Sequence, residues 1–157
     1  ASVRSVQADN LRDPAKPLVM QAKVDVPQLG RRNHDHADWP VLGKTTSYQR
    51  NMASFETRRH DLMLGPAWSV RWRVKHQMPT GMQATHLPES ATLRSPFGLA
   101  RLQLRQGPDR LEVEAELRIT SSRIPAGDYA AFREFLGKAD RLFGQSLSFK
   151  GGPHAER

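Results

Sequence analysis

The sequence predicts a mainly β protein, an antiparallel β-sandwich that carries one amphipathic α-helix near its C-terminus. Several segments alternate apolar and polar residues with a period of two, which is typical of strands with one buried face. Proline and glycine separate these segments at short intervals. One late segment instead repeats its apolar residues every three or four positions. The chain of 157 residues has the length of one domain, which we place at residues 1–150, followed by a flexible tail at 151–157.

The clearest predicted strand begins after Ala67. Gly65-Pro66 precedes it and Pro79-Thr80-Gly81 follows it, so turns bound the strand at both ends. Cationic and polar residues separate its apolar series, which we expect to face the core: Trp68, Val70, Trp72, Val74, His76 and Met78. Within this series, His76 is predicted to be a buried histidine with a hydrogen-bond partner rather than a metal ligand.

A second pair of strands is predicted to form a hairpin, because residues 100–105 and 111–119 both alternate and Gly107-Pro108-Asp109 can turn the chain. The first strand buries even positions and the second buries odd ones. The numbers of directly opposed residues must therefore sum to an odd value. A sum of 215 is one such register, and it would oppose Arg101 to Glu114 and Gln103 to Glu112.

The same alternation sends three glutamates to the outer side of this hairpin, namely Glu112, Glu114 and Glu116. We expect them to form a solvated, charge-paired face. An exposed strand lacks the apolar pocket that would raise a carboxyl pKa for general-acid catalysis, so they are not predicted to be catalytic.

The remaining β segments are shorter. Alternation predicts a strand between Pro17 and Pro27, an edge strand over Val3 to Ala8 and a final strand over Ser146 to Phe149. Gly30 to Ser47 shows no sustained period, which predicts a long loop. Further strands are expected over Tyr48 to Phe55 and Arg58 to Leu64.

The helical segment follows Pro125 and extends for about four turns. Its apolar stripe is Tyr129, Phe132, Phe135, Leu136, Ala139, Leu142 and Phe143. Asp128 suits the helix start and Gly144 its end. Because this stripe is wide, we expect the helix to cover an end or open edge of the sheets and to bury Phe132 and Leu136.

Composition limits the chemistry. There is no Cys, which excludes thiolate metal sites, disulfides and a cysteine nucleophile within this chain. The apolar runs are too short to span a membrane. The first residues include no Met and no signal-peptide core, so we expect the chain to come from within a longer gene product.

The net charge is +8, with 18 Arg and 6 Lys, which suits a polyanionic partner. The absence of a run of five basic residues and of an RNA-recognition motif argues against nucleic acid. Candidate polyanion-binding residues are Arg71, Arg73 and Lys75, extended by Arg101 and Arg105 if their strand is adjacent. The alternative is an ordinary solvated sheet face.

A weak ligand or metal candidate lies in the predicted loop, comprising His34, His36, Asp38 and Trp39. Two histidines with a carboxylate can bind zinc, which usually needs three or four ligands in total. The cluster supplies only part of such a site, and a further ligand would have to come from His60, His76 or His86. We therefore predict no metal and no cofactor. Trp68 and Trp72 belong to the core stripe, which leaves Trp39 as the tryptophan free to bind a ligand.

Ordered motifs along the chain resemble the C-terminal β-sandwich region of multidomain bacterial transglutaminase-like proteins. The most informative are the link from Leu87-Pro88-Glu89 to Ser95-Pro96-Phe97-Gly98 and the helix start Ile124-Pro125-Ala126-Gly127-Asp128-Tyr129. Supporting segments are Asn10 to Leu18, Arg59-His60-Asp61-Leu62 and Met78-Pro79-Thr80-Gly81. The resemblance spans about residues 3–149.

In such proteins a β-sandwich domain of unknown function precedes a papain-like transglutaminase core, and a domain of this kind follows the core. The resemblance therefore implies a non-catalytic accessory domain whose partner is an adjacent transglutaminase-like catalytic domain or another protein. It also implies the cell envelope, periplasm or export as location. The alternative is a binding module that recognises an anionic glycan or other polyanion through the Arg-rich sheet face.

Overall fold

The computed structural model describes residues 2–13, 15–16, 19–25, 30–33, 36–43, 46–78, 81–108 and 110–151, with only the backbone of Arg32 and Asn33. The expected tail lies outside these residues apart from Gly151. The strands are β1 (Ser2–Asp9), β2 (Val19–Asp25), β3 (Arg31–Asn33), β4 (His36–Pro40), β5 (Leu62–Met63), β6 (Trp68–Gln77), β7 (Met82–His86), β8 (Ala91–Ser95), β9 (Gly98–Gln106), β10 (Arg110–Ile119), β11 (Arg123–Ile124) and β12 (Ser146–Gly151).

Two four-stranded antiparallel sheets form the body of the protein. The first has the order β6-β10-β9-β8 and the second the order β3-β4-β12-β7. Their apolar faces contribute to one core, to which the first sheet supplies residues such as Leu102 and Leu117 and the second supplies Leu147 and Phe149. The predicted fold class, an antiparallel β-sandwich with one C-terminal amphipathic helix, is confirmed.

The β9–β10 hairpin confirms the predicted parity but not the predicted register. Opposed residues sum to 217, so that Arg101 lies opposite Glu116 and Gln103 lies opposite Glu114. The proposed pairs Arg101–Glu114 and Gln103–Glu112 were wrong. A shift of two residues keeps every side chain on its predicted face, which is why alternation alone could not distinguish the two registers. On its other side, β10 pairs with β6.

The predicted loop over Gly30 to Ser47 was wrong. This segment contributes β3 and β4 to the second sheet, where β4 pairs with Ser146–Lys150 of the final strand β12. Three- and five-residue strands are too short to show a period. β3 pairs with β4, and β4 takes its other hydrogen bonds from β12, more than 100 residues away in the chain. The final strand itself was predicted correctly. Val41 and Leu42, which follow β4, are buried in the core.

The strand expected over Tyr48 to Phe55 is instead a short helix, α1 (Tyr48–Met52). Its first backbone N–H groups, those of Tyr48 and Gln49, donate to the Asp140 carboxylate at 2.8 and 2.9 Å. Asp140 lies in the long helix α2 (Tyr129–Phe143). A carboxylate from another helix thus takes the role of an N-cap, a signal that local sequence does not contain.

Strand formation over Arg58 to Leu64 is limited to β5, which pairs with β11. Beside it, the Asp61 carboxylate accepts a hydrogen bond from the Ala126 backbone N–H at 2.8 Å and pairs with Arg123. The Ala126 hydrogen bond, followed by that of Arg123, lowers the pKa of Asp61. These contacts fasten the segment to the single 3-10 turn (Ala126–Asp128) that precedes α2.

The predicted burial of Phe132 and Leu136 beneath helix α2 is confirmed. The helix was expected at an end or open edge of the sheets, and it lies across the inner face of the first sheet. Phe132 and Leu136 are both completely buried. The Phe132 ring meets Phe97 edge-on with centroids 5.5 Å apart, next to the open edge strand β8. At the other end of the helix, Phe143 lies 5.6 Å from Trp72 of β6. The helix therefore crosses the inner face of the first sheet from one edge strand to the other.

In the described part of the chain, no helix is both long and apolar enough to cross a membrane.

Candidate interaction surfaces

The outer face of the first sheet, which points away from the core, is strongly cationic. The outward-facing positions of β6, β8, β9 and β10 carry eight cations against three carboxylates, a net charge of +5. The predicted polyanion-binding residues Arg71, Arg73, Lys75, Arg101 and Arg105 all lie on this face. The structure thus brings them onto one surface, with the glutamates of β10 between the two neighbouring strands.

Most of these cations are paired with a carboxylate. Arg73 lies 3.6 Å from Glu114, and Lys75 lies 3.8 Å from Glu112. These two pairs are exposed, so each contributes about 0–1 kcal/mol to stability. Arg105 lies opposite Glu112 in the register. The expected cross-strand charge pairing is therefore present, with partners set by the observed register.

Glu116 departs from the expected solvated stripe, since only 3% of it is exposed. Three guanidinium groups cover its carboxylate. Arg118 donates at 2.7 Å and Arg71 at 3.4 Å to Oε1, while Arg101 donates at 3.2 Å to Oε2. We call Arg71, Arg101 and Arg118 the arginine cluster. It is centred on one buried carboxylate.

The arginine cluster keeps Glu116 ionised. The hydrogen bond from Arg118 contributes most to lowering the pKa of this carboxyl, against the opposing effect of burial, and Arg71 adds to it. Sequence reasoning identified Arg71 and Arg101 but missed Arg118. The signal was available, because residues 116 and 118 lie two apart in one strand and must share a face.

A second candidate surface is the hairpin formed by β1 and β2, which makes a sheet of its own. Directly opposed pairs on one side are all apolar: Val3 with Val24, Val6 with Ala22, and Ala8 with Met20. A bulge between Val3 and Ser5 places an odd- and an even-numbered residue of β1 on the same side. We call these six residues the hairpin apolar face.

The hairpin apolar face is open to solvent. Val3 is 63% exposed, Val6 57% and Met20 67%. Among the described residues, none from this hairpin belongs to the core or to the side chains packed against it. The two predicted strands are thus confirmed, but their alternation does not correspond to burial within this chain.

The structure describes three of the four residues of the ligand or metal candidate. His34 lies outside the described residues. His36, Asp38 and Trp39 lie in β4, whereas the sequence analysis predicted a loop at these positions. His36 and Asp38 are exposed, and Asp38 accepts a hydrogen bond from Ser148 at 2.6 Å. Among the described residues, no group of three or more potential metal-ligating side chains occurs.

Trp39 points into the protein and is not free, contrary to the prediction. Its ring lies 4.9 Å from the Phe149 ring and 6.3 Å from His76. His76 itself is buried, and its Nε2 lies 2.8 Å from the Val41 carbonyl oxygen. The prediction of a buried, hydrogen-bonded histidine is confirmed.

Comparison with known proteins identifies the class of domain. The family described as a domain of unknown function with a solved structure, DUF3858, matches residues 40–149. The chain belongs to this family. The match begins at the end of β4, so the β1–β2 hairpin precedes the matched region. No curated protein is significantly similar in sequence.

The fold is similar to part of the crystal structure of a "putative protease" from Parabacteroides distasonis, with a TM-score of 0.61 and 13% sequence identity. The similarity covers 74% of this chain and 23% of that one. The chain therefore spans about a quarter of the length of the protein that it resembles in structure. At this identity the similarity concerns the fold alone.

Proposed function

We propose that this chain is a non-catalytic accessory domain that contacts and positions an adjacent catalytic domain of the transglutaminase-like, papain-fold class. The hairpin apolar face carries this proposal. A two-stranded hairpin is at best marginally stable in water when nothing covers its apolar side. Packing this side against a neighbouring domain would remove Val3, Val6 and Met20 from solvent.

The proposed neighbour is a domain of the same polypeptide. The Parabacteroides distasonis protein has a region of this fold within a much longer chain. The hairpin precedes the region matched by the family, so it lies on the side of the chain from which a preceding domain would connect. The motif order described above supports a transglutaminase-like identity for that domain.

Three carboxyl groups make structural contacts in this chain. The pKa values of Asp61, Glu116 and Glu134 are all lowered, each first of all by a hydrogen bond to the ionised form. A general acid needs a raised carboxyl pKa. These three groups instead fasten loops, strands and a helix turn.

The first test assays this chain for amide hydrolysis and for amine transfer, beside the longest natural polypeptide that contains it. We expect turnover by the longer protein and none by the chain alone. Robust turnover by the chain alone would contradict the non-catalytic role.

The second test compares two variants of the longer polypeptide, each with one added charge on one of the two faces of β2. Met20→Lys puts the charge on the hairpin apolar face, while Gln21→Lys is the matched control on its opposite face. Burying a methionine side chain contributes about 1.5–3 kcal/mol, so we expect Met20→Lys to weaken domain contact about tenfold or more. Limited proteolysis between the domains measures this contact. Equal effects of the two substitutions would contradict the proposed interface.

A further inference from the structure

We propose that the arginine cluster, held around the Glu116 carboxylate, is a binding site for a single dianionic oxyanion group of the phosphate or sulfate class.

The charge of the cluster is the first reason. Three guanidinium groups converge on one carboxylate within 3.4 Å, which leaves a local net charge of +2. The neighbouring Arg73 and Glu114 balance each other at 3.6 Å. A dianion would therefore neutralise the two positive charges that Glu116 does not compensate.

The unused donors are the second reason. Each guanidinium has five N–H groups in a planar fork, and Glu116 accepts one contact from each of the three arginines. The side chains of Arg71, Arg101 and Arg118 are 62%, 39% and 48% exposed. Their outer N–H groups thus face solvent from positions that the buried carboxylate fixes. Oxyanions are the ligands that such forks bind in two-point geometry.

A cavity lies beside the arginine cluster, and Arg71 and Arg101 line it whereas Arg118 does not. It has a volume of about 140 Å³, and its charged lining residues are Arg71, Arg73, Arg101, Glu114 and Glu116. Sites for whole small molecules usually measure about 300–1,000 Å³. The size therefore fits one anionic group rather than an entire nucleotide or sugar. The net charge of +5 on the surrounding sheet face would also attract an anion toward the cavity.

Replacing Glu116 distinguishes a defined anion-binding site from general electrostatic attraction by the cationic sheet face. If only the charge of the face mattered, the substitution Glu116→Gln would strengthen anion binding by removing a negative charge. If Glu116 positions the cluster, the same substitution weakens binding because the three guanidinium groups no longer have a common acceptor. Glu116 is in this sense a positioning residue.

The test titrates the folded chain with inorganic phosphate and, separately, with sulfate at low ionic strength and pH 7.5, followed by backbone amide NMR. We expect saturable shifts around Arg71, Arg101 and Arg118, with a Kd of about 1 mM or lower. Arg101→Gln should weaken binding about tenfold, as expected for a lost charge-assisted hydrogen bond. Arg105→Gln is the matched control, with the same charge change on the same strand and face about 13 Å away. It should weaken binding less than twofold.

Three results would overturn the proposal: no saturation below about 10 mM with phosphate or sulfate together with no binding in the vesicle arm described below; equal effects of Arg101→Gln and Arg105→Gln; or tighter binding by Glu116→Gln. Circular dichroism verifies that each variant is folded. If Glu116→Gln does not fold, the comparison of Arg101→Gln with Arg105→Gln still decides the proposal. A parallel arm uses vesicles that contain phosphatidic acid, to distinguish a lipid phosphate from a free one. Saturable binding in either arm that Arg101→Gln weakens supports the site, and none in both arms contradicts it.

Discussion

The β1–β2 hairpin and the sandwich body show the same sequence pattern with opposite outcomes. In β10 the alternate residues Leu111, Val113 and Ala115 are at most 3% exposed. In the hairpin, the equivalent alternation leaves Val3, Val6 and Met20 more than half exposed. The difference lies in what covers the strands. Helix α2 and the second sheet close over the first sheet, whereas no described core residue packs on the hairpin.

This contrast teaches that alternation specifies a face but not its partner. A strand with one apolar side needs a second layer, and that layer can come from the same chain or from another domain. The sandwich finds its layer internally. The hairpin has an apolar face that the described core leaves uncovered, and for this reason it carries the proposed domain interface.

The largest expected effect comes from removing the helical cover. Phe132→Ala deletes a completely buried ring that packs against Phe97, and it should lower the free energy of unfolding by about 3–5 kcal/mol. Urea unfolding of the chain measures this loss. A loss below about 1 kcal/mol would mean that the helix does not close the sheet, and the contrast with the hairpin would fail.

One substitution made in both regions sharpens the comparison. Val113→Ser acts on a side chain 1% exposed in β10, and Val24→Ser acts on one 46% exposed in β2. We expect the first to cost about 2–4 kcal/mol, because it removes buried methyl groups and buries a hydroxyl. The second should cost about 0.5 kcal/mol or less in this chain. Similar losses in the two urea titrations would show that the hairpin already has a covered face.

A substitution on the outer face of the first sheet should change the free energy of unfolding by an intermediate amount that depends on pH. Glu116→Gln should cost about 1–3 kcal/mol at pH 7, because it removes the ionised acceptor of three arginines. Since folding lowers the pKa of Glu116, its contribution is fully present above the ordinary glutamate pKa and is lost as the pH falls through the lower folded value. Urea titrations from pH 7 down to acid should therefore show the two proteins converging. A difference that does not change with pH would contradict the buried, ionised carboxylate.

A smaller effect is predicted for the contact between the two helices, α1 and α2. Asp140→Ala removes the carboxylate that accepts the backbone N–H groups of Tyr48 and Gln49, and it should cost about 1 kcal/mol. Burial is the main cause that raises the pKa of Tyr48, and the charge of the same carboxylate raises it further. The tyrosine should therefore titrate at a lower pH in the variant, as followed by ultraviolet absorbance. An unchanged Tyr48 titration would show that the two groups do not interact.

Sequence periodicity predicts the long elements of this protein well. It gives the faces of β6, β9 and β10, the parity of their register and the apolar stripe of α2, because each of these covers many residues. It fails for β3 and β4, which are too short to show a period, and for α1. The hydrogen-bond partners of β4 and α1 also lie far along the chain. These elements are specified by tertiary contacts, which a local pattern does not record.

The candidate sites show the same limit. Alternation placed Arg71 and Arg101 outward, and the register then decided which glutamate they meet. A shift of two residues moved the partner of Arg101 from Glu114 to Glu116. Glu116 is buried because Arg71 and Arg101 from the two neighbouring strands and Arg118 from its own strand cover its carboxylate. Only the assembled sheet reveals this arrangement.

Hydrogen exchange of the hairpin amides tests the central claim most directly. The measurement compares this chain with the longest natural polypeptide that contains it, under identical conditions. We predict that β1 and β2 exchange much faster than β10 in the chain alone and become protected in the longer protein, while β10 is protected equally in both. Hairpin amides that exchange at the same rate in the two proteins would contradict the assignment of the hairpin apolar face to an adjacent domain.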